Sequence, residues 1–333
     1  MSDARLLADA LARPGEVALD SDGWTALLTM ARAEQLLGTL AHRLAGVTVP
    51  ASVAAILADA RGGAEQARRS ALWEAEMARR ALAPLGVAVV LLKGTAFAAA
   101  GLAAGQGRAI GDLDLLVPRA ALGQVEAALL AAGWEWVKPD PYDDDYYRRW
   151  MHELPPLIHA ERDRMIDVHH TILPPTARPT PDAAALIAEA VPLGNGLSVL
   201  SPADMIVHAA AHLFADGDLA GGLRNLWDIH RLVEEFGGDG LAARAARHGL
   251  RRETARALRL SRRLFATEVP AWAGSDRLSD AAYRRRLLAR DGWGSPIRPA
   301  TRFGFYVRSH WLRMPPYLLA RHLLIKWRRG APA

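Results

Sequence analysis

The run Gly111-Asp112-Leu113-Asp114-Leu115-Leu116-Val117 decides how this chain folds. Successive side chains of a strand turn to opposite faces, so Asp112 and Asp114 share one side and Leu113 and Leu115 the other. Two carboxylates held side by side repel and raise each other's pKa unless a cation sits between them. A hard divalent cation with oxygen ligands, Mg²⁺ first of all, answers that need. An edge strand with a solvated acidic face would carry the same pattern, so the flanking segments decide between the two.

Upstream, Val87–Leu92 is an unbroken apolar run of strand length, as expected of a buried strand. It ends in Lys93-Gly94-Thr95 and passes into the helix-forming Ala96–Ala100. A strand, a glycine turn and a helix start present free N–H groups and a positive dipole end, which suit an anion. Gly94 permits close backbone approach, Thr95 offers a hydroxyl and Lys93 a compact charge. Lys93, Lys138 and Lys326 are the lysines among 41 Lys plus Arg, so an ammonium at this turn stands out against an arginine-rich background. A structural turn with a solvated lysine is the plainer alternative.

Downstream, Met165-Ile166-Asp167-Val168-His169-His170 alternates again, placing Asp167 and His169 on one face. The segment Trp150–His159 can pair with it through the polar turn Ala160–Arg164. Asp167 is then a third carboxylate on a neighbouring strand. Three such carboxylates beside a phosphate-binding turn can clamp two metals about 4 Å apart for in-line phosphoryl chemistry.

Taken together, these residues resemble the nucleotidyltransferase superfamily with the DNA polymerase beta-like fold. Leu-Lys-Gly, Arg108, Gly-Asp-Leu-Asp-Leu-Leu-Val and Ile-Asp-Val-His-His are more closely similar to a bacterial family of uncharacterised nucleotidyltransferases, most sharply over Val87–Ile172. The resemblance implies an NTP, with ATP the expected one, bound with Mg²⁺ or Mn²⁺. It implies Asp112 and Asp114 as ligands of both metals and Asp167 as a ligand of the catalytic one. Lys93, Gly94, Thr95 and Arg108 would hold the nucleotide. The superfamily often has Gly-Gly or Gly-Ser at the turn where this chain has Lys-Gly-Thr. The fold class expected is α+β: a small mixed sheet flanked by helices, with N-terminal helices and a helical C-terminal lobe.

The chain of 333 residues, 51% of them hydrophobic, is long enough for a large core in two lobes. It has no cysteine, which excludes disulfides and cysteine-based zinc sites and suits a reducing compartment. No apolar stretch of membrane-spanning length and no signal-peptide core appears, so a cytoplasmic protein is expected. Residues 301–333 carry seven cations and no acid, leaving −2 over the first 300. The basic balance therefore belongs to the tail, and long nucleic acid is not the expected partner of the site. The tail's cations and aromatics would suit an anionic membrane surface, an acidic partner or a nucleic acid, or else pack back on the core.

The expected organisation is a helical region over 1–83, a nucleotidyltransferase core over 84–175, a helical lobe closing the cleft over 176–300 and a basic aromatic tail over 301–333. Helical spacing covers Asp3–Leu11, Trp24–Leu44, Ala51–Ala83 and Arg119–Ala132, and Pro139–Asp145 reads as an acidic loop. His208 and His212 lie i, i+4 on one helical face, a zinc-compatible spacing, but position 209 is Ala where the metalloprotease pattern needs Glu. His169 is placed to orient an acceptor hydroxyl; Arg224, Trp227 and Asp228 are further candidate substrate contacts. The reaction expected is NMP transfer from an NTP to a nucleophile on a small molecule, peptide or protein. The alternatives are phosphoryl transfer on the same metal cluster and a silent scaffold that docks through its tail.

Overall fold

The computed structural model describes residues 3–138, 140–313 and 317. Four helices come first: α1 (Arg5–Ala12), α2 (Ser21–Ala33), α3 (Leu37–Arg43) and the long α4 (Ala51–Leu82). The α/β part follows as β1 (Val90–Leu91), α5 (Lys93–Ala99), β2 (Leu113–Leu116), α6 (Leu122–Ala131), β3 (Trp134–Trp136), α7 (Pro141–Trp150), β4 (Leu157–His159) and β5 (Met165–His169). Then come α8 (Ala183–Ala188), β6 (Val191–Pro192), β7 (Ser198–Val199), α9 (Pro202–Ala211), α10 (Gly222–Phe236), α11 (Leu241–Arg247), α12 (Arg251–Phe265), α13 (Leu278–Leu287) and α14 (Pro299–Arg313).

The seven strands form one mixed sheet in the order β3-β4-β5-β2-β1-β7-β6, the α+β class expected. β2 lies inside it, parallel to β5 and antiparallel to β1. All four of its residues are buried, which removes the edge-strand alternative. Apolar side chains on both faces make such a run an interior strand. The pairing sets Asp114 opposite Asp167 and Leu113 opposite Ile166. Because side chains alternate with a period of two, that register alone brings the carboxylates of two strands to one face. β4 and β5 form the hairpin expected through Ala160–Arg164.

Several boundaries differ from the sequence expectations. The stretch Trp24–Leu44 is two helices, because Gln35 takes a left-handed φ of +56° and turns the chain between α2 and α3. No glycine or proline announces that break; burial of Leu36 and Leu40 holds it. Of the stretch expected to be an acidic loop, residues 141–145 are helical, while Pro139 lies outside the described residues. Pro141 opens α7, where a missing N–H costs nothing. Its acids are neutralised one turn on, by Asp144–Arg148 at 2.8 Å and Asp145–Arg149 at 2.6 Å. Arg148 also reaches Glu126 on α6 at 2.8 Å. Of the long apolar run before Lys93, Val90 and Leu91 alone are in strand. Lys93-Gly94-Thr95 is the first turn of α5 itself and not a separate loop.

Candidate active site

Asp114 is the centre of the site. It is 2% exposed on β2, and its Oδ1 accepts from Lys93 Nζ at 2.5 Å and faces His169 Nε2 at 3.0 Å. Burial by itself would raise this carboxyl, but Lys93 and His169 outweigh it and hold Asp114 well below the usual carboxylate range. Burial likewise opposes the charge on Lys93, and Asp114 more than restores it. His169 continues the chain of charges: its Nδ1 lies 3.2 Å from Glu153 Oε2. Burial disfavours the imidazolium, whereas the bond to Asp114 and the nearby Glu153 raise its pKa. His152 stacks on the same ring, centroids 5.2 Å apart.

Asp112 is exposed just before β2, and Asp167 is half-buried on β5. One carboxylate oxygen from each of Asp112, Asp114 and Asp167 lies within 4.8 Å of the others. Burial first, then Glu153 and Asp114, push Asp167 up to about 7. A crowded, oxygen-only donor set, in which Asp167 resists ionising, fits a hard divalent cation. Ligand atoms of His152, Glu153 and His169 also lie within 4.8 Å of one another, a nitrogen-rich group on the far side of His169. Neither group includes His208 or His212.

The backbone around Lys93 is built tightly. Lys93 holds a left-handed φ of +49°, a strained choice for a side-chain-bearing residue. Gly94 follows and leaves room for Arg108: a Cβ there would lie 1.9 Å from Nη1, so the buried guanidinium would have to shift. Thr95 Oγ1 donates to the Asp112 carbonyl at 3.4 Å, tying the start of α5 to the start of β2. Arg108 is buried beneath this turn, paired to Asp228 on α10 at 2.9 Å. Burial raises the Asp228 carboxyl even so, with Arg108 and Arg224 opposing.

Two cavities meet at Arg224. A narrow crevice of about 30 Å³ is lined by Lys93, Phe97, Arg108, His208, His212, Arg224 and Asp228. Burial, with Lys93 adding to it, lowers His208 to about 3 and His212 well below its ordinary value, so both rings are neutral. The end of α9 loosens into a π-helical turn over His212–Asp216, a distortion frequent beside functional sites. On the other side an open groove of about 790 Å³ ends at Asp112. Its floor is the small-residue face Ala60, Gly63, Ala64 and Ala67 of α4, and Arg32 and Arg224 stand on its walls. Arg224 donates to Gln35 at 2.5 Å.

The family model for an uncharacterised nucleotidyltransferase matches residues 20–266, well over half of the chain. The chain belongs to the uncharacterised nucleotidyltransferase family. A search of proteins of curated function finds no match. The family match takes in both walls of the site, from α2 and α4, which supply the groove, to α10, which supplies Arg224 and Asp228.

In this member of the family the structure brings together Lys93, Gly94, Thr95, Arg108, Asp112, Asp114, Asp167 and His169. Arg224 and Asp228 face the crevice, whereas Trp227 is buried, packed against Phe265 with ring centroids 5.1 Å apart. His169 is 2% exposed and turned onto Asp114. Sequence reasoning missed Glu153 and His152, which sit where the chain enters the sheet and bridge back to His169. It also missed Arg32, Gln35 and the α4 face. The only signal for the last was the run of Ala and Gly between Ala60 and Ala67, which helical periodicity reads simply as a helix.

Proposed function

We propose that the protein transfers an NMP group from a metal-bound NTP, ATP in the first instance, to a hydroxyl or other nucleophile on a small molecule, peptide or protein, releasing pyrophosphate. The observation that carries this reading is the strand register that stacks Asp114 on Asp167 beside Asp112, one helix start away from Lys93. In it, Asp112, Asp114 and Asp167 hold Mg²⁺ or Mn²⁺. When bound, the ion supplies charge stabilisation at the transferring phosphoryl group and lowers the pKa of the attacking group.

The protein's own residues do the remaining work. Lys93 leaves Asp114 for the β- and γ-phosphates, whose charge grows as pyrophosphate departs. Gly94 and Thr95 bring backbone N–H groups and a hydroxyl to the same oxygens. Arg108, fixed by Asp228, adds positive potential from beneath the turn. His169 holds the buried oxygen of Asp114 so that the carboxylate keeps one orientation. Arg224 stands where the crevice and the groove join and faces both the nucleotide and whatever lies in the groove. We read residues 84–175 as the catalytic unit, 176–300 as the lobe that closes on it and 1–83 as the outer wall of the groove.

The test is isotope partition in an extract containing acceptors. With [α-³²P]ATP the label should pass to the acceptor, and with [γ-³²P]ATP it should appear in pyrophosphate. Transfer of the γ label with release of ADP would replace this reading by kinase chemistry.

A further inference from the structure

We propose that the outward face of α14 is a docking surface for an anionic lipid membrane. One side of this helix is committed to the fold: Phe305 is 7% exposed, Ser309 4%, and the Phe305 ring meets Tyr283 edge-on at 5.0 Å. Arg308 lies over Tyr283 and donates to the Phe214 carbonyl, which fixes the roll of the helix. The opposite side then has to face outward. It presents Phe303, Val307 and Trp311 at i, i+4 and i+8, exposed by 68%, 51% and 52%, with Tyr306 at 44% beside them.

Large apolar side chains in one stripe on a helix gain nothing from water, so the stripe points to something that covers it. Charge selects the occupant. Residues 301–333 contain seven cations and no acid, while the rest of the chain is slightly acidic; Arg302, Arg308 and Arg313 lie on α14 and the other four belong to sequence outside the described residues. Phe, Tyr and Trp on one face of a helix, within a segment of sequence that is cationic and free of acids, is the composition of a helix lying in the interface of an anionic bilayer. The segment has no carboxylate to repel headgroups. Among the described residues no helix is long and apolar enough to cross a membrane, so the contact is with the surface. An acidic protein would satisfy the cations but leaves the aromatic depth unexplained; a second copy of the chain would bring like charge against like.

The full-length protein should co-sediment with vesicles of phosphatidylcholine containing about 30% phosphatidylglycerol and not with phosphatidylcholine alone, and salt near 0.5 M should weaken that binding at least about tenfold. Val307→Glu, which sets a carboxylate in the middle of an exposed stripe, should weaken vesicle binding by about tenfold or more with the melting temperature unchanged. Phe303→Ser with Trp311→Ser should do the same. Equal binding to both vesicle types, or undiminished binding by either variant, would overturn the proposal. So would a lowered melting temperature in both variants, or a wild-type dimer that Val307→Glu makes monomeric, because the face would then be covered by protein.

Discussion

Lys93 stands between two uses. It rests on Asp114 Oδ1, an oxygen that His169 also reaches, yet a quarter of its side chain is open to solvent. A cation entering among the three aspartates must compete with that ammonium, and a triphosphate at the start of α5 offers the ammonium another partner. Metal and nucleotide should therefore bind as a coupled pair. Lys93→Met keeps the length and removes the charge. In calorimetric titration it should bind Mn²⁺ alone about tenfold more tightly than wild type, while NTP turnover falls because charge on the leaving pyrophosphate is no longer neutralised. Lys93→Arg should not restore full turnover, since a planar fork is bulkier than an ammonium. Unchanged Mn²⁺ affinity in the methionine variant would mean that Lys93 does not guard the site. Lys93 and the three aspartates were legible in the sequence because strand alternation and a glycine turn are local. Glu153 was not: it acts through His169 across a single backbone bridge, and no spacing encodes that contact.

The helices α3 and α4 do more than cover the sheet. Gly38 and Gly107 lie so close that a Cβ on Gly38 would come within 2.5 Å of the Gly107 carbonyl oxygen, which locks α3 against the loop leading to Asp112. The α4 face lining the groove carries Ala60, Gly63, Ala64 and Ala67, and short side chains there leave the groove open. A Cβ on Gly63 would meet nothing within 4 Å, so Gly63→Trp should fill part of the groove. Transfer should drop by at least about tenfold, while circular dichroism and melting temperature stay near wild type, since the new ring enters open space and not packed core. Normal turnover would show that the groove is not on the substrate path. At this scale the sequence was informative about kind more than about boundary. α4, α6 and the β4–β5 hairpin follow from apolar periodicity and a polar turn. The split at Gln35 depends on what Leu36 and Leu40 pack against, and the helix at Pro141–Trp150 on ion pairs one turn apart, so tertiary and electrostatic terms decided what local propensity left open.

Across the described residues, one continuous apolar core runs from Ala4, just before α1, to Phe305 in α14, so the sheet that carries the aspartates is braced by helices from both ends of the sequence. In that setting burial first, then Glu153 and Asp114, raise the Asp167 carboxyl to about 7. The sign follows. Below that value Asp167 takes up a proton, which competes with a metal for the same oxygen; above it the carboxylate is free to bind. Binding of Mn²⁺ should therefore weaken as pH falls through about 7, because ligands must be deprotonated to hold a metal. The most direct measurement is a calorimetric or paramagnetic Mn²⁺ titration, in the presence of a non-hydrolysable ATP analogue, on wild type and on Asp112→Asn, Asp114→Asn and Asp167→Asn. It is run at pH values about one unit either side of 7. Each variant should lose about tenfold or more in affinity with the fold intact, and Asp167→Asn should also lose most of the pH dependence. An Asp167→Asn protein that binds Mn²⁺ as tightly as wild type, with the same fall in binding toward acid, would contradict the claim that the three aspartates form one metal-binding cluster.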